Sequence, residues 1–111
     1  MIVRLWRGRA DLARPEDYPK HFRDNVLPEL QATPGFLGAK LTRRDDADEI
    51  EFLVITEWVS LDAIRAFAGE TIDRAVVEPQ AIAALKSYDA TVQHFEVIER
   101  RIAGGGEPNG R

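Results

Sequence analysis

Histidine is the first residue type to consider, because its pKa lies near neutrality and it can exchange protons at physiological pH. The chain has two histidines, and one of them, His94, lies in a strand-like segment, 91–98. A lone strand histidine is more often a structural residue with satisfied hydrogen bonds. If its ring faces a pocket, however, His94 is the best general base in the chain. His21 lies beside Phe22 and away from the apolar stripe of a predicted helix, so we expect it to be solvated.

Three further side chains could contact a small molecule. Trp58 ends the most apolar strand-like segment, where it serves either as a core aromatic or as a wall for a planar substrate. Because alternate residues of a strand point to the same side, Arg4 and Trp6 share one face of the opening strand. Trp6 is then either interface packing or a second pocket wall. Arg4 is either solvated and paired with a carboxylate, or it orients an anionic substrate or enolate.

Metal and thiol chemistry have little support in the sequence. With no cysteine, the chain has no disulfide, no thiol nucleophile and no Cys-ligated metal. The two histidines are far apart, and the acidic run at 45–49 lacks the spacing and the glycine of a calcium loop. The glycines at 104–106 lack the strand and the Lys-Ser/Thr of a phosphate loop. We therefore predict no metal and no cofactor.

Composition narrows the class of protein. The chain has 111 residues, is 44% hydrophobic and has a formal charge of −4, which suits one domain with its own core. Mild acidity argues against a nucleic-acid binder. No apolar run approaches the roughly 20 residues that cross a bilayer, and no signal peptide is visible. We predict no membrane partner and, by default, a cytoplasmic location.

The apolar segments and the residues between them predict the fold. Strand-like runs occupy 2–9, 36–43, 51–58 and 91–98, and helices begin near Asp17 and after Ser60. This order, βαββαβ, predicts an α+β, ferredoxin-like monomer with a four-stranded antiparallel sheet. We expect a kink or break at Pro28, and a further helix from Pro79 that buries Ile82 and Leu85. We predict one domain over residues 1–103 and a disordered tail over 104–111.

The strands have large apolar residues on both faces. A sheet with helices on one side normally has a polar second face. Here, depending on register, that face offers Trp6, or Val54 and Trp58, or Val92 and Ile98. So much exposed apolar surface needs a cover. The simplest cover is a second copy related by a two-fold axis, so we predict a homodimer.

Three segments together resemble the antibiotic biosynthesis monooxygenase (ABM) family. They are PGF at 34–36 before a strand, EWVSLDA at 57–63 leading into a helix with Phe67, and VQHFEV at 92–97. The resemblance covers roughly residues 1–100. It implies a monomer that pairs through its sheets into a dimeric α/β barrel, with a cavity between each sheet and its helices.

The resemblance implies two known chemistries, and the chain matches neither fully. Members that oxidise polyketide phenols with oxygen and no cofactor use an asparagine and a tryptophan on the third strand and a tyrosine on the next helix. Trp58 matches the tryptophan, whereas Val54 and Ile64 replace the asparagine and the tyrosine. Haem-degrading members pair a helix tryptophan with a later histidine. Phe67 and Val77 occupy those positions, which argues against haem degradation.

Two functions from different classes follow, together with a purely structural dimer whose cavity is filled by its own side chains. The first is a cofactor-independent monooxygenase for a small aromatic or phenolic substrate. His94 and Trp58 would be catalytic, with His94 removing the phenol proton, and Trp6, Arg4 and Phe67 would bind substrate. The second is a non-catalytic dimeric α/β barrel that binds a small hydrophobic ligand. If His94 and Arg4 both point into the cavity, the enzyme is favoured, whereas a cavity lined only by apolar side chains favours the binding protein.

Overall fold

The computed structural model describes residues 1–103, and the tail predicted to be disordered, 104–111, lies outside the described residues. The described part is an antiparallel sheet with helices, as the α+β, ferredoxin-like prediction required. Its strands are β1 (Ile2–Asp11), β2 (Phe36–Asp45), β3 (Glu49–Trp58), β4 (Ser87–Tyr88) and β5 (Gln93–Glu96). Its helices are α1 (Asp17–His21), α2 (Leu27–Gln31), α3 (Leu61–Ala68) and α4 (Pro79–Ala84).

The sheet has the order β2-β3-β1-β4, and β5 also pairs with β1. Strand β4 pairs with Gly8 and Arg9, and β5 pairs with residues 2–5. The predicted last strand is therefore shorter than expected, because the edge of β1 is shared between two short segments. The polar turn 46–48 joins β2 to β3.

The first helix continues through Pro28 without a break. A π-helical segment, Phe22–Val26, joins α1 to α2, and the backbone N–H of Leu27 bonds the carbonyl of Phe22, five residues earlier. Proline lacks an N–H and its ring crowds the preceding turn. The wider π turn relieves that crowding. The predicted disturbance at Pro28 is thus a local widening of the helix.

The sheet has one inner face, which packs on the helices. Along β3 this face presents Ile50, Phe52, Val54, Thr56 and Trp58, all of which are buried. Register places Trp6 opposite Val54, and Arg4 opposite Thr56 and His94, so these side chains also face the helices. Trp6, Val54 and Trp58 therefore do not form the uncovered face, and Val92 is buried as well.

The opposite side of the sheet, which we call the open face, has no helix over it among residues 1–103. Its apolar side chains are Val3, Leu5, Leu53, Ile55 and Phe95. The first four are half-buried, and Phe95 is 53% exposed. Apolar residues do occupy both faces of the strands, as predicted, but those on the open face differ from the ones expected.

Helix α4 buries small residues. It begins at Pro79, as predicted, but Ala81 and Ala84 are its buried side chains and Ile82 is 48% exposed. The prediction that Ile82 is buried was wrong. Leu85 follows the helix and packs on the main core cluster. Its methyl groups fill the space next to Gly8, where a Cβ would lie 2.8 Å from Leu85 Cδ1.

The junction between β3 and α3 is stabilised by a cap and by a close approach of two segments. The Ser60 hydroxyl accepts a hydrogen bond from the Ala63 N–H, which satisfies a free donor at the start of α3. Gly35 has φ +88°, and a Cβ there would lie 2.5 Å from Ala63 Cβ. Only glycine fits both the conformation and the space.

Gly35→Ala therefore should destabilise the protein more than Gly69→Ala does. Both glycines have positive φ, and strain at such a position is worth about 1–3 kcal/mol. Gly69 has no heavy atom within 4 Å of the added Cβ, whereas Gly35 meets Ala63. We expect an additional loss of about 1 kcal/mol or more for Gly35→Ala, from overpacking. Urea unfolding of both variants measures the difference, and equal losses would contradict it.

Within residues 1–103, no helix is both long enough and apolar enough to cross a membrane.

Candidate functional site

A cavity of about 70 Å³ lies between the inner face of the sheet and the helices. Its apolar walls include Trp6, Val26, Leu30, Val54, Phe67 and Val92. Its polar lining consists of Arg4, Tyr18, His21, Thr56 and Glu78. A mostly apolar cavity with a few convergent polar groups is typical of a small-molecule site. The position agrees with the cavity that the family resemblance implied.

The volume limits what can bind without movement. A cavity that takes up benzene measures roughly 150 Å³, about twice the space present here. The wall includes Val76, which is 47% exposed and belongs to neither a helix nor a strand. Binding of an aromatic ring therefore requires side chains of the wall to move outward, and Val76 lies on its irregular part.

Arg4 brings a buried positive charge to the cavity. Its Nη1 donates to the Ile72 carbonyl oxygen at 2.8 Å, and its Nη2 donates to the Arg74 carbonyl oxygen at 3.1 Å. The guanidinium also lies over the Phe67 ring, 5.8 Å from the centroid. Within residues 1–103, no carboxylate oxygen lies within 4.0 Å of it. Burial lowers the pKa of Arg4 to about 10, opposed by the Asp73 carboxylate, so the side chain stays charged at neutral pH.

His94 lies behind Arg4, outside the set of residues that line the cavity. Its Nε2 is 2.8 Å from Arg4 Nη1. Because a guanidinium only donates, Nε2 accepts and the ring proton is on Nδ1. That atom faces Asp73 Oδ1 at 3.3 Å. The lone pair that a general base needs is thus bonded to Arg4. The catalytic role of His94 stays a prediction, and its contacts favour a role in positioning Arg4.

The pKa of His94 is lowered, first by burial and then by the Arg4 charge, against the raising effect of Asp73. The unfolded chain then binds a proton at higher pH than the folded protein does, so stability falls as the pH drops below the ordinary histidine value of about 6.5. We expect His94→Gln, which keeps an acceptor for Arg4, to flatten this dependence. Thermal unfolding between about pH 5 and pH 7 measures it, and parallel curves for the two proteins would contradict it.

Two predicted binding residues form walls of the cavity. Trp6 lines it and donates from Nε1 to the Asp89 carbonyl oxygen at 2.7 Å, while its ring packs 5.9 Å from the Tyr18 ring. Phe67 lines the cavity from α3. Arg4, Trp6 and Phe67 are therefore brought together around one space, and their roles in binding stay predictions.

Trp58 lies one layer deeper. It is fully buried with Leu30 and Ile64, and it does not line the cavity. Its Nε1 donates to Thr56 Oγ1 at 2.8 Å, and its ring lies 5.3 Å from Phe67. Both of these neighbours do line the cavity. Trp58 is therefore placed to position the wall, and direct contact of Trp58 with a substrate stays a prediction.

His21 corrects an expectation from the sequence. It was expected to be solvated, but it is only 6% exposed and lines the cavity. Its Nε2 lies 3.3 Å from Glu78 Oε1, and Asn25 Nδ2 lies 3.0 Å from its Nδ1. His21 lies three positions after the buried Tyr18, a spacing that places both on one side of an α-helix. That spacing was the signal in the sequence that could have indicated a buried His21. No such signal indicated that Glu78, far away in the sequence, lies beside it.

Tyr18 adds a neutral hydroxyl to the same wall. Burial, and secondarily the Glu78 carboxylate, raise the pKa of Tyr18 above its ordinary value, so this phenol stays protonated. Within residues 1–103, no group of three or more His, Cys, Asp or Glu side chains could hold a metal ion. The cavity therefore combines one fixed cation, one histidine, one carboxylate and neutral donors.

Known structures share this fold. The haem degrader MhuD from Mycobacterium tuberculosis, solved with two haems in its active site, is 23% identical over 91% of this chain and 99% of its own, with a TM-score of 0.61. SnoaB from Streptomyces nogalater, a cofactor-independent oxygenase, is 21% identical over 94% of this chain and 98% of its own, with a TM-score of 0.59. At these identities the likeness establishes the fold alone. No curated protein matches the chain.

Membership of a family rests on the sequence itself. The model of the antibiotic biosynthesis monooxygenase family matches residues 1–78, which is more than half of the 111 residues. The match includes β1, β2, β3 and α3, and thus Arg4, Trp6, Trp58 and Phe67. The chain therefore belongs to the antibiotic biosynthesis monooxygenase family.

Proposed function

We propose that this protein is a cofactor-independent monooxygenase that acts on a small phenolic or related aromatic substrate. The observation that carries the proposal is the buried Arg4 guanidinium, which lines an apolar cavity and has no carboxylate partner within 4.0 Å among residues 1–103. A buried charge that is bonded only to carbonyls and a histidine favours an incoming anion. An aromatic phenolate or enolate offers both an anion for Arg4 and an apolar ring for the walls that Trp6 and Phe67 form.

The chemistry balances without a separate reductant. Loss of a proton from the substrate hydroxyl or its carbon acid gives an electron-rich anion. Oxygen then bonds to the activated ring carbon, the CH₂ of an anthrone for example. That carbon loses two hydrogens and becomes a carbonyl, one oxygen atom stays in it, and the other leaves as water. The substrate itself supplies all the electrons, so the protein need only bind, deprotonate and orient it.

The residues of the site divide these tasks. Arg4 holds the developing oxyanion, an electrostatic contribution that can be the largest in such a site. Trp6 and Phe67 contact the ring from two walls. His94 and Asp73 orient Arg4 from behind. Trp58 fixes Thr56 and Phe67, so it shapes the cavity without lining it.

Oxygen uptake tests the proposal directly. Purified protein is incubated in an oxygen electrode with hydroquinones, naphthols and anthrones, without added cofactor. We expect uptake above the buffer rate with at least one of them, lost in Arg4→Met and retained in Leu61→Glu, a change on the exposed side of α3. Ligands that bind and quench Trp6 fluorescence without any uptake would overturn the proposal in favour of a non-catalytic binding protein.

We further propose that the chain forms a homodimer through the open face. On this face Leu5 lies beside Ile55, and Val3 lies beside Phe95. Lys40 and Glu57 flank them, so the patch is apolar with a charged edge. Patches of this kind on a sheet need a cover. A second copy, packed face to face around a two-fold axis, buries the same side chains in both subunits.

Ile55→Glu should convert this dimer into a monomer. The change places a charge at the centre of the proposed contact, where it would be buried against its own copy. Leu61→Glu, at an exposed leucine on α3, serves as the matched control and should stay dimeric. Light scattering after gel filtration should give twice the chain mass of 12.5 kDa for the wild type and the control. A monomeric wild type, or a dimeric Ile55→Glu, would contradict the proposed interface.

A further inference from the structure

His21 Nε2 is the one buried side-chain nitrogen or oxygen within residues 1–103 that lacks a hydrogen-bond partner. Such an atom is unusual, because a buried polar group without a partner costs about 1–3 kcal/mol. Where native proteins keep one, it often has a catalytic role or binds a water or an ion. His21 is 6% exposed, so open solvent does not replace the missing partner.

The surroundings of the ring show which way Nε2 points. Its neighbour at 3.3 Å is Glu78 Oε1, and Glu78 lines the inner cavity but not the groove on the outside of the helix. Nδ1 has Asn25 at 3.0 Å, and Asn25 lines that outer groove but not the cavity. His21 itself lines both. The His21 ring thus lies between the inner cavity and the outer groove, and its Nε2 is on the side of the cavity.

We propose that His21 is the general base of this site and accepts the substrate's hydroxyl proton on Nε2. This proposal rests on the phenolic ligand of the proposed function. In the step, the substrate O–H bond breaks, an Nε2–H bond forms, and the substrate keeps the electron pair as a phenolate. Arg4 and the new imidazolium then both face the oxyanion, so the ion that forms has two cations beside it.

The residues around the ring suit this step. Glu78 Oε1 lies 3.3 Å from Nε2, the nitrogen that would take the proton, on the cavity side of the ring. The Asn25 amide can turn by 180° and present its oxygen to Nδ1–H, which leaves Nε2 unprotonated to act as the base. The other titratable or charged groups that line the two spaces are Arg4 and Tyr18 in the cavity and Arg14, Asp17, Lys20 and Asp24 in the groove.

A binding experiment tests the step without any need for turnover. Because the chain has two histidines, ¹⁵N-histidine labelling gives two sets of ring signals, and His94→Gln assigns them. The probe is 2-naphthol, whose anion is recognised by its absorption. At a pH of about 8, an ordinary histidine is neutral and an ordinary phenol keeps its proton. We expect addition of 2-naphthol to convert His21 to the doubly protonated ring while the bound ligand absorbs as its anion.

Each outcome decides the proposal. If 2-naphthol binds while His21 stays neutral, His21 is not the base, and the proposed function stands on the oxygen-uptake result alone. If 2-naphthol fails to bind, this proposal and the phenolic substrate class are both overturned. If His21 is protonated by the ligand but no panel compound consumes oxygen, the base is confirmed and the oxygenase is overturned.

Turnover gives a second, independent readout with an active substrate. General-base catalysis contributes about 10²–10⁴-fold, so His21→Gln should lower kcat at least ~100-fold. Its affinity for benzyl alcohol, which gives up no proton at this pH, should change by less than about 5-fold, since the aromatic walls remain. Lys20→Gln, one position earlier on α1 and on the groove side, is the control and should keep full kcat. A His21→Gln protein with unchanged kcat overturns the assignment.

Discussion

Replacing Trp58 by alanine should lower the free energy of unfolding by about 3–5 kcal/mol, the range for a fully buried large aromatic. The ring is 0% exposed and packs on Leu30 and Ile64. It also contacts the Phe36 and Phe67 rings at 5.5 and 5.3 Å. Truncation would leave a cavity between the end of β3 and α3, where Trp58 packs on Ile64 and Phe67. Urea unfolding of wild type and variant measures the loss.

Trp58→Phe separates the packing of this side chain from its hydrogen bond. Phenylalanine keeps most of the volume but removes the donor that Thr56 Oγ1 accepts from. We expect the free energy of unfolding to fall by about 1–2 kcal/mol, because the buried Thr56 hydroxyl loses the donor from which it accepts a hydrogen bond. For the alanine variant, Trp58→Ala, a loss of stability below about 1 kcal/mol would contradict the prediction and show that the core repacks around the gap. Retained turnover in a folded Trp58→Phe would show that the tryptophan acts through its packing on Phe67 and not through its hydrogen bond to Thr56.

Local sequence signals predicted the elements well. Alternation, turn residues and the Ser60 cap predicted β1, β2, β3 and α3 to within two residues. They did so because each signal is local: a strand's pleat, a turn's glycine or a cap's hydroxyl depends on a few neighbours in the chain. The end of the sheet was harder to predict. Strands β4 and β5 each pair with part of β1, which depends on the path of the chain between them.

Alternation also predicted which residues share a face, but not which face meets the helices. Trp6, Val54 and Trp58 do share one face, and the sequence left open whether that face is covered. Leu5, Leu53 and Ile55 make the other face equally apolar. When both sides of a strand are apolar, hydrophobicity no longer separates inside from outside, and only the docked helices decide.

The candidate site was predicted in part, for a related reason. Arg4, Trp6 and Phe67 line one cavity because a strand and a neighbouring helix bring them together, and their roles in binding stay predictions. His21 and Glu78 meet only through the packing of α1 against the start of α4, 57 positions apart in the chain. The spacing of Tyr18 and His21 along α1 was a local signal for His21, but no local signal existed for its contact with Glu78.

Arg4→Met should remove the preference of the cavity for anions. Benzoate and benzyl alcohol have the same ring and nearly the same shape, but only benzoate is charged. A hydrogen bond to a charged group contributes about 1.5–3 kcal/mol, so wild type should bind benzoate roughly 10–150-fold more tightly than Arg4→Met does. The affinity for benzyl alcohol should change by less than about 3-fold, because Trp6 and Phe67 remain. Quenching of Trp6 fluorescence reports both affinities.

Arg4→Lys distinguishes charge from geometry in the same assay. Lysine keeps a positive charge but lacks the planar fork that bonds the Ile72 and Arg74 carbonyls and His94 together. We expect it to keep part of the benzoate preference while it lowers thermal stability, since the segment 72–74 loses its attachment to β1. If Arg4→Met weakens both ligands equally, Arg4 acts only as that attachment. A loss confined to benzoate establishes that the buried cation of this cavity selects anions.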